Sequence, residues 1–481
     1  MTIRNVGPNS TYPTIAAAVA AAAEGDIIRM EAGYTYERAV LTVQNLTVTG
    51  GEAELRIDLE LGAGIDDVTL RGPTNITVWD NAGSNVITGN RGSNHVHVSG
   101  GTDVVHGGDG HDELFVDYLA ATSVVATGGT VTDGGTNSVT FDAVEFVVIS
   151  TGSGDDCLTT DDRDYMLRSG GGNDTIAAGG GRNIVEAGAG NDTVTTGNGN
   201  NMVFVSEGDD TVTTGGGNDY VVSGTGDDAV KTGGGDDNVV IDGGMDTADA
   251  GVGQDLLLVN YGDLEADVTV SISAGSVAKG YSGLVADVIG NHSVSFTGFE
   301  DFLIQTGSGD DDVRVGGGND TIWGNGGKDV LHAGSGNDDL DGGRDADRLI
   351  GGRGEDVLNG GLGADTLIGG RDKDVLTGSL GADVFRFDDL DSRLGAKDLI
   401  RDLNEVEDTI DLSRIDADVT AAGDQAFVLV DRFTGAAGEA TLRYNVATNA
   451  SRLGLDTDGD GAVDIAIIAT GEQRDFSNFV L

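Results

Sequence analysis

The stretch GGRGEDVLNGGLGADTLIGG, residues 351–370, holds eight glycines and an Asp that returns after nine residues, Asp356 then Asp365. It has no His, Cys or Lys, so carboxylates and backbone are nearly all it offers chemically. The interval extends in both directions, through Asp311, Asp320, Asp329, Asp338, Asp347, Asp356, Asp365, Asp374 and Asp383 without a slip. A second run goes from Asp174 through Asn183, Asp192, Asn201, Asp210, Asp219, Asp228, Asp237 and Asp246 to Asp255, with Asp156 two periods upstream. A shorter one has Asn85, Asn94, Asp103 and Asp112. Gly stands two residues before nearly every hit, as at Gly354, Gly363, Gly217 and Gly226, with Asp345 and Asp372 as exceptions. Two residues after each hit stands an aliphatic or aromatic side chain: Val194, Val203, Val212, Val221, Val230 and Val239, then Leu331, Leu340, Leu349, Leu358, Leu367, Leu376 and Phe385. Three columns in phase over so many periods define a solenoid.

Each nonapeptide reads as a six-residue turn, glycine-rich because it needs φ > 0, followed by a strand of about three residues. The column two after the Asp points inward, and two repeats close one coil. Residues eighteen apart then stack on one edge, about 4.8 Å apart. Carboxylates at that spacing repel by about 0.9 kcal/mol per neighbour in water and about 3.5 kcal/mol at an effective dielectric of 20. Solvated turn formers would not need such strict phase. A divalent cation between successive turns converts the repulsion into attraction, with turn carbonyls completing an all-oxygen shell. Six to eight oxygens in flexible loops suit calcium better than magnesium, which wants a tighter octahedron.

The nonapeptide resembles the RTX repeat, G-G-x-G-x-D-x-U-x with U a large aliphatic, intact in GGRGEDVLN and GGLGADTLI. The resemblance implies a parallel β-roll with calcium in its turns, export by a type I ABC exporter without N-terminal cleavage, and folding outside the cell. The expected fold is all-β: a parallel β-roll or β-helix solenoid in several blocks, interrupted by antiparallel segments and capped by a short N-terminal helix. The expected calcium ligands are Asp103 and Asp112 in the first block and Asp156, Asp174, Asp192, Asp210, Asp219, Asp228, Asp237 and Asp255 in the second. In the third they are Asp311, Asp320, Asp329, Asp338, Asp347, Asp356, Asp365, Asp374 and Asp383. An Asn brings one neutral oxygen and a donor and can bond its neighbour without metal. Calcium is therefore expected to be missing or weak at Asn183, Asn201, Asn85 and Asn94, and densest in the third block.

The blocks lie at 81–116, 151–258 and 307–387. Between them, residues 117–150 and 259–306 are acid-poor and end alike, NSVTFDAVEFVVISTGSGDD (137–156) and HSVSFTGFEDFLIQTGSGDD (292–311), an internal duplication. Alternation at Val268, Val270 and Ile272 predicts antiparallel strands that pack on or break the solenoid. Residues 1–80, with TIAAAVAAAAEGDIIRM, resemble the opening of pectate-lyase-type β-helices, a helix near 14–23 capping the first coils. Residues 388–481 resemble the C-terminal domain that follows RTX repeats in serralysin-type proteases, ending in DFSNFVL (475–481), which resembles a type I secretion signal. Within them DTDGDGAVD places Asp456, Asp458, Asp460 and Asp464 as a further calcium loop, although Ile467 stands where an EF-hand has its bidentate Glu.

Acids outnumber bases 81 to 27, a formal charge of −54, which excludes nucleic acid and anionic membranes as partners. The single Cys157 excludes an intrachain disulfide framework and reads as an inert thiol. No apolar run reaches the ~18–20 residues of a membrane span. H-E-x-x-H, G-x-S-x-G and Walker G-K-[ST] are absent, and the histidines, His95, His97, His106, His111, His292 and His332, occupy variable repeat positions that suit surface residues. No catalytic residue can be named, and acidic pairs such as Asp388 and Asp389 are too common to nominate. The expectation is a non-enzymatic, secreted calcium-binding structural protein of a Gram-negative cell surface or matrix. Its expected partners are calcium, the exporter, and either further copies or surface polysaccharide. The competing expectation is a carbohydrate-active or carbohydrate-binding β-helix.

Overall fold

The structure, a computed structural model, describes residues 2–31, 37–49, 56–276, 278–388, 397–421, 425–473 and 476–481. The chain forms two compact units, residues 1–235 and 236–481, so the division falls inside the second repeat block.

Each unit is built mainly from parallel strands in two sheets that the chain visits alternately, the second closing with an antiparallel meander of Glu439–Asn445, Ala450–Asp456 and Ile465–Thr470. In the first unit, Thr175, Thr193, Thr211 and Ala229 pair in sequence in one sheet, and Met166, Ile184, Met202 and Tyr220 in the other. Partners are eighteen residues apart, so two nonapeptides do make one coil. The inward column is fully buried, from Val194, Val203, Val212 and Val221 in the first unit to Leu340, Leu349, Leu358 and Leu367 in the second. One aliphatic side chain per nonapeptide is a thin core, and the remaining cohesion comes from the turns.

Strand lengths alternate in the middle of the second block, three residues at Thr193–Thr195 and Thr211–Thr213 against six at Ile184–Ala189 and Met202–Glu207. In the third block the strands from Val330 to Leu380 all run six, as at Arg348–Arg353 and Val357–Leu362, because the Gly-Gly pair continues the ladder, Gly352 pairing with Gly370. The turn column requires a left-handed backbone: φ is +118° at Gly354 and +122° at Gly217, and the exceptions Asp345 and Asp372 adopt +72° and +84°. Close approach adds to this. A Cβ on Gly352, itself at φ +121°, would lie 2.1 Å from the Gly334 carbonyl oxygen. Gly352→Ala is expected to destabilise the second unit by about 3 kcal/mol or more, read as a lower urea midpoint in millimolar calcium.

The helix is Ile15–Ala20, shorter than the 14–23 expected, with the Thr14 hydroxyl accepting from the Ala17 N–H and Ile15, Ala18 and Val19 buried. The two insertions do not break the solenoid. In each, one strand of a coil is replaced by an antiparallel meander within the same sheet. In the first unit Ser138–Asp142 lies parallel to Thr102–His106, turns back through Thr130–Thr132, and leaves by Val125–Thr127, parallel to Cys157–Thr159. In the second unit Ser293–Phe299, Gly280–Asp287 and Val268–Ser276 repeat the pattern between Met245–Val252 and Asp312–Arg314. The opposite sheet runs on uninterrupted, Glu113–Asp117 pairing directly with Phe146–Ser150. Cys157 is exposed and free. Of the C-terminal heptapeptide, Asp475 lies outside the described residues, as does Asp389.

Candidate metal centre

The repeat acids are buried, not arrayed on a surface: Asp103, Asp174, Asp210, Asp320, Asp356 and Asp365 keep 1% or less of their area exposed. The reason is a side-chain ladder. The Oδ1 of each acid accepts from the backbone N–H of the residue one coil earlier, as from Asp329 to Asp347 (2.9 Å), Asp347 to Asp365 (2.8 Å) and Asp192 to Asp210 (2.7 Å). A second ladder lies beside it on the exposed residue preceding each acid and runs the other way. Asn337 donates its N–H to Asn319 Oδ1 (2.9 Å), and Asn191 to Asn173 Oδ1 (2.8 Å).

What the other carboxylate oxygen meets shows what the site needs. At Asn183 the corresponding Nδ2 donates to the turn carbonyls of Gly179 and Gly181, 3.1 and 2.9 Å away. At Asn201 it donates to those of Gly197 and Gly199, 3.2 and 2.6 Å away. The turn therefore aims carbonyl oxygens at this position, and an amide meets them with hydrogens. An Asp puts oxygen there instead. In the second unit the Oδ2 atoms of Asp320, Asp329, Asp338, Asp347, Asp356 and Asp365 are buried without a protein partner. Buried oxygen facing carbonyl oxygen is unfavourable unless a cation or proton lies between them. This donor set, anionic and neutral oxygen in a flexible turn, fits calcium. Stacked acids cannot all surround one ion, so the carbonyls must complete the shell.

The second block softens the demand with a hydroxyl at its first rung, where Thr151 Oγ1, five residues upstream, donates to Asp156 Oδ2. In the same column Ser169 and Thr214 donate instead to the Ala187 and Thr232 carbonyls, at 2.7 and 2.8 Å. In the third block that column is largely glycine: the Cβ a side chain would carry at Gly342, Gly351 or Gly360 would lie 2.3–2.5 Å from Oδ2 of Asp347, Asp356 or Asp365.

In the metal-free protein burial pushes these carboxyls up. Asp320 and Asp329 rise to about 8, and Asp347, Asp356, Asp383, Asp103, Asp210 and Asp255 to about 7. Asp112, Asp174, Asp311 and Asp338 rise to about 6. Asp156, Asp192, Asp219, Asp228 and Asp365 shift the same way for the same reason. Asp237 and Asp374 are equally buried, and their N–H groups donate to Asp255 and Asp398 Oδ1 at 2.8 and 2.9 Å.

Four rungs are occupied by residues outside the nine-residue phase. Glu145 and Glu300 carry the ladder across the insertions, accepting from the N–H of Asp112 (2.7 Å) and Asp255 (2.9 Å). Asp398 and Asp408 extend it past the last repeat, accepting from Asp374 and Asp383 across 24 and 25 residues. Each keeps the local signature of an inward apolar residue two positions on: Val147, Phe302, Ile400 and Ile410. In the C-terminal loop, Asp456, Asp458 and Asp464 bring carboxylate oxygens within 4.8 Å of one another. Asp460 is not in that group; its Oδ1 accepts from the Ala462 N–H. Among the described residues no other His, Cys, Asp or Glu trio converges so closely, and three histidines pair singly: His95 with Glu113, His106 with Asp142, His292 with Asp287.

The Asn rungs supply a direct test. Asn201→Asp removes the amide hydrogens facing Gly197 and Gly199 and restores a carboxylate. The variant is expected to bind one more calcium by titration calorimetry. In EGTA it should be about 1–3 kcal/mol less stable than the parent, for lack of a donor.

A stacked coil whose turns carry buried anionic oxygen for hard cations is a calcium-binding β-roll. Residues 79–114 match the RTX calcium-binding nonapeptide repeat (4 copies), and residues 102–481 match the peptidase M10 serralysin C-terminal family. The chain belongs to that serralysin C-terminal family, and it binds calcium through its repeats. It is 38% identical over 82 residues to the metalloprotease AprA of Pseudomonas entomophila, covering 17% of this chain and 16% of that one. It is 45% identical over 69 residues to serralysin of Proteus mirabilis, 14% of each. The chain thus spans less than a fifth of the length of these relatives. Among solved structures it is similar to the AlgE6R2 subunit of the Azotobacter vinelandii mannuronan C5-epimerase. There the identity is 24%, over 35% of this chain and 91% of that one, with TM-score 0.21. It is also similar to the extracellular lipase LipA from Serratia marcescens, at 15% identity over 66% and 45%, with TM-score 0.17. The family and its Gram-negative members agree with the extracellular, Gram-negative origin expected from the sequence. No helix among the described residues is long and apolar enough to cross a membrane.

Proposed function

We propose that the protein is a secreted structural component of the bacterial surface or extracellular matrix, exported by a type I ABC exporter, that folds on meeting calcium and then self-associates. The observation that carries this reading is the length of the buried ladder. Rung after rung of anionic oxygen serves cohesion. In such a role calcium is the trigger that separates a soluble, self-repelling chain inside the cell from a folded solenoid outside it. Light scattering after size exclusion, at high protein and millimolar calcium, is expected to show multimers that chelator dissolves. A monodisperse monomer under those conditions would overturn the assembly. Imaging the cell surface with and without the protein, in calcium and in chelator, tests the location.

A second reading, a carbohydrate-active or carbohydrate-binding β-helix, draws on the unbroken parallel sheet that runs from Glu37–Leu41 through Arg56–Leu61 and Asn75–Trp79 into the first repeats. Screening polysaccharides for lyase or epimerase activity tests its catalytic form.

A further inference from the structure

The outer face of one sheet in the first unit carries an apolar and aromatic column on an otherwise acidic chain. Along it, Phe115, Val148, Met166, Ile184 and Met202 occupy successive coils as paired neighbours, and Trp79 and His97 extend the column upstream. Rings of Trp79 and His97 stack at 5.1 Å, and those of His97 and Phe115 at 4.5 Å, with planes within 10°. Two residues further along each strand runs a second, mostly polar column: Asp117, Ser150, Arg168, Glu186 and then Phe204. Between and beside these columns lie two depressions of about 350 and 470 Å³ that share Arg168, one reaching from Trp79 and Asp80 to Arg168, the other from Arg168 to Phe204 and Ser206.

We propose that this groove binds an extended polysaccharide, lying along the coil stack with its polar rim on the second column and its apolar face on the first. Three features point to that class. From the Phe115 coil to the Ile184 coil the groove offers one apolar and one hydrogen-bonding residue per coil, an amphipathic pattern that suits a sugar ring. The pattern repeats at the strand spacing, about 4.8 Å, over roughly 14 Å from the Phe115 coil to the Ile184 coil, with ring-bearing coils on either side. A polymer whose unit is of similar length meets an equivalent pair at each step, whereas an extended peptide presents a side chain to one face only every ~6.7 Å. The charges are tied up locally: Arg168 Nε lies 3.0 Å from Glu186, Asp80 holds the Ser99 N–H and hydroxyl at 2.9 and 3.1 Å, and Asp117 accepts from the Leu119 N–H at 3.3 Å. Nucleic acid has no basic field to enter, and a hydroxyl-rich chain meets both donors and acceptors. The stacked rings cover one another's faces, so they present edges, where the positive rim of the quadrupole favours oxygen.

The test uses the full chain in millimolar calcium and affinity electrophoresis through gels containing a neutral β-glucan, chitosan, alginate or pectate. At least one polymer should retard the protein. Arg168→Ala and Phe204→Ala should each weaken that retardation roughly tenfold, the loss of one good contact. Calcium-dependent circular dichroism identical to the parent keeps the comparison to folded protein. Retardation by none of the four, or equal retardation of parent and both folded variants, overturns the proposal. So does a concentration-dependent dimer that the same variants abolish, since the occupant would then be a second copy. Calcium-driven folding is read separately, so failure here leaves the structural function standing.

Discussion

Stripped of calcium at pH 8, the second unit is expected to lose most of its cooperative β structure, and to regain part of it as the pH falls towards 5. The four carboxyls Asp320, Asp329, Asp347 and Asp356 carry metal-free values of about 7 to 8, raised by burial from 3.8. A group raised on folding holds protons in the folded state that the unfolded chain releases. Its contribution is therefore complete below about pH 4 and is lost as pH climbs through about 7 to 8. Protonated, each acid brings the hydrogen that the turn carbonyls lack, much as the amide of Asn201 does. Calcium reverses the sign, because it competes with that proton: binding at pH 7 should release protons, and the loaded protein should be most stable at pH 8 and weaken as the medium acidifies. Circular dichroism against pH, in EGTA and in millimolar calcium, reads both limbs. A pH-stat during calcium addition reads the protons. An equally stable, metal-free fold at pH 8 in both media would refute the account.

The second large effect is a comparison at one rung. Asp347→Ala removes the acceptor of the Asp329 N–H and one carboxylate of the adjoining metal site. An orphaned buried N–H costs about 1–3 kcal/mol, and a calcium present at a hundred times its dissociation constant contributes about 2.7 kcal/mol, so the sum approaches 4–6 kcal/mol. Asp347→Asn should behave differently. Its Oδ1 can still accept from Asp329, and its Nδ2 can meet the turn carbonyls, as Asn201 does. The Asn variant is expected to bind less calcium and to keep, in EGTA near pH 5, most of the stability the parent shows there; the Ala variant should lose both. Equal losses in the two variants would mean that the metal, not the satisfied oxygen, is all that matters at the rung.

The ladder acids and the inward column were legible because both depend on strict phase: a residue displaced by one position would face the wrong way or leave its edge. Burial of the acids was less so, since neighbouring Asp, Asn and Gly also suit exposed turns. Glu145, Glu300, Asp398 and Asp408 escaped a search by period because inserted chain precedes them, although the local spacing to Val147, Phe302, Ile400 and Ile410 is kept. The Thr151 hydroxyl was present in the sequence, yet its meaning depends on which carboxylate oxygen it reaches, a fact of three dimensions. The outer aromatic column depends on coil pairing across an insertion, Phe115 meeting Val148, which no fixed interval predicts.

The direction of the buried ladder makes it a one-way structure. Each acid steadies the backbone of the coil before it and never that of the coil after, so Asp383 leans on Asp408, Asp365 on Asp383, and Asp347 on Asp365. Injury at any rung should spread upstream. Trimming from the N-terminal side leaves the remaining supports in place, whereas loss of Asp408 takes away the footing of one flight of steps and loss of Asp398 that of the other.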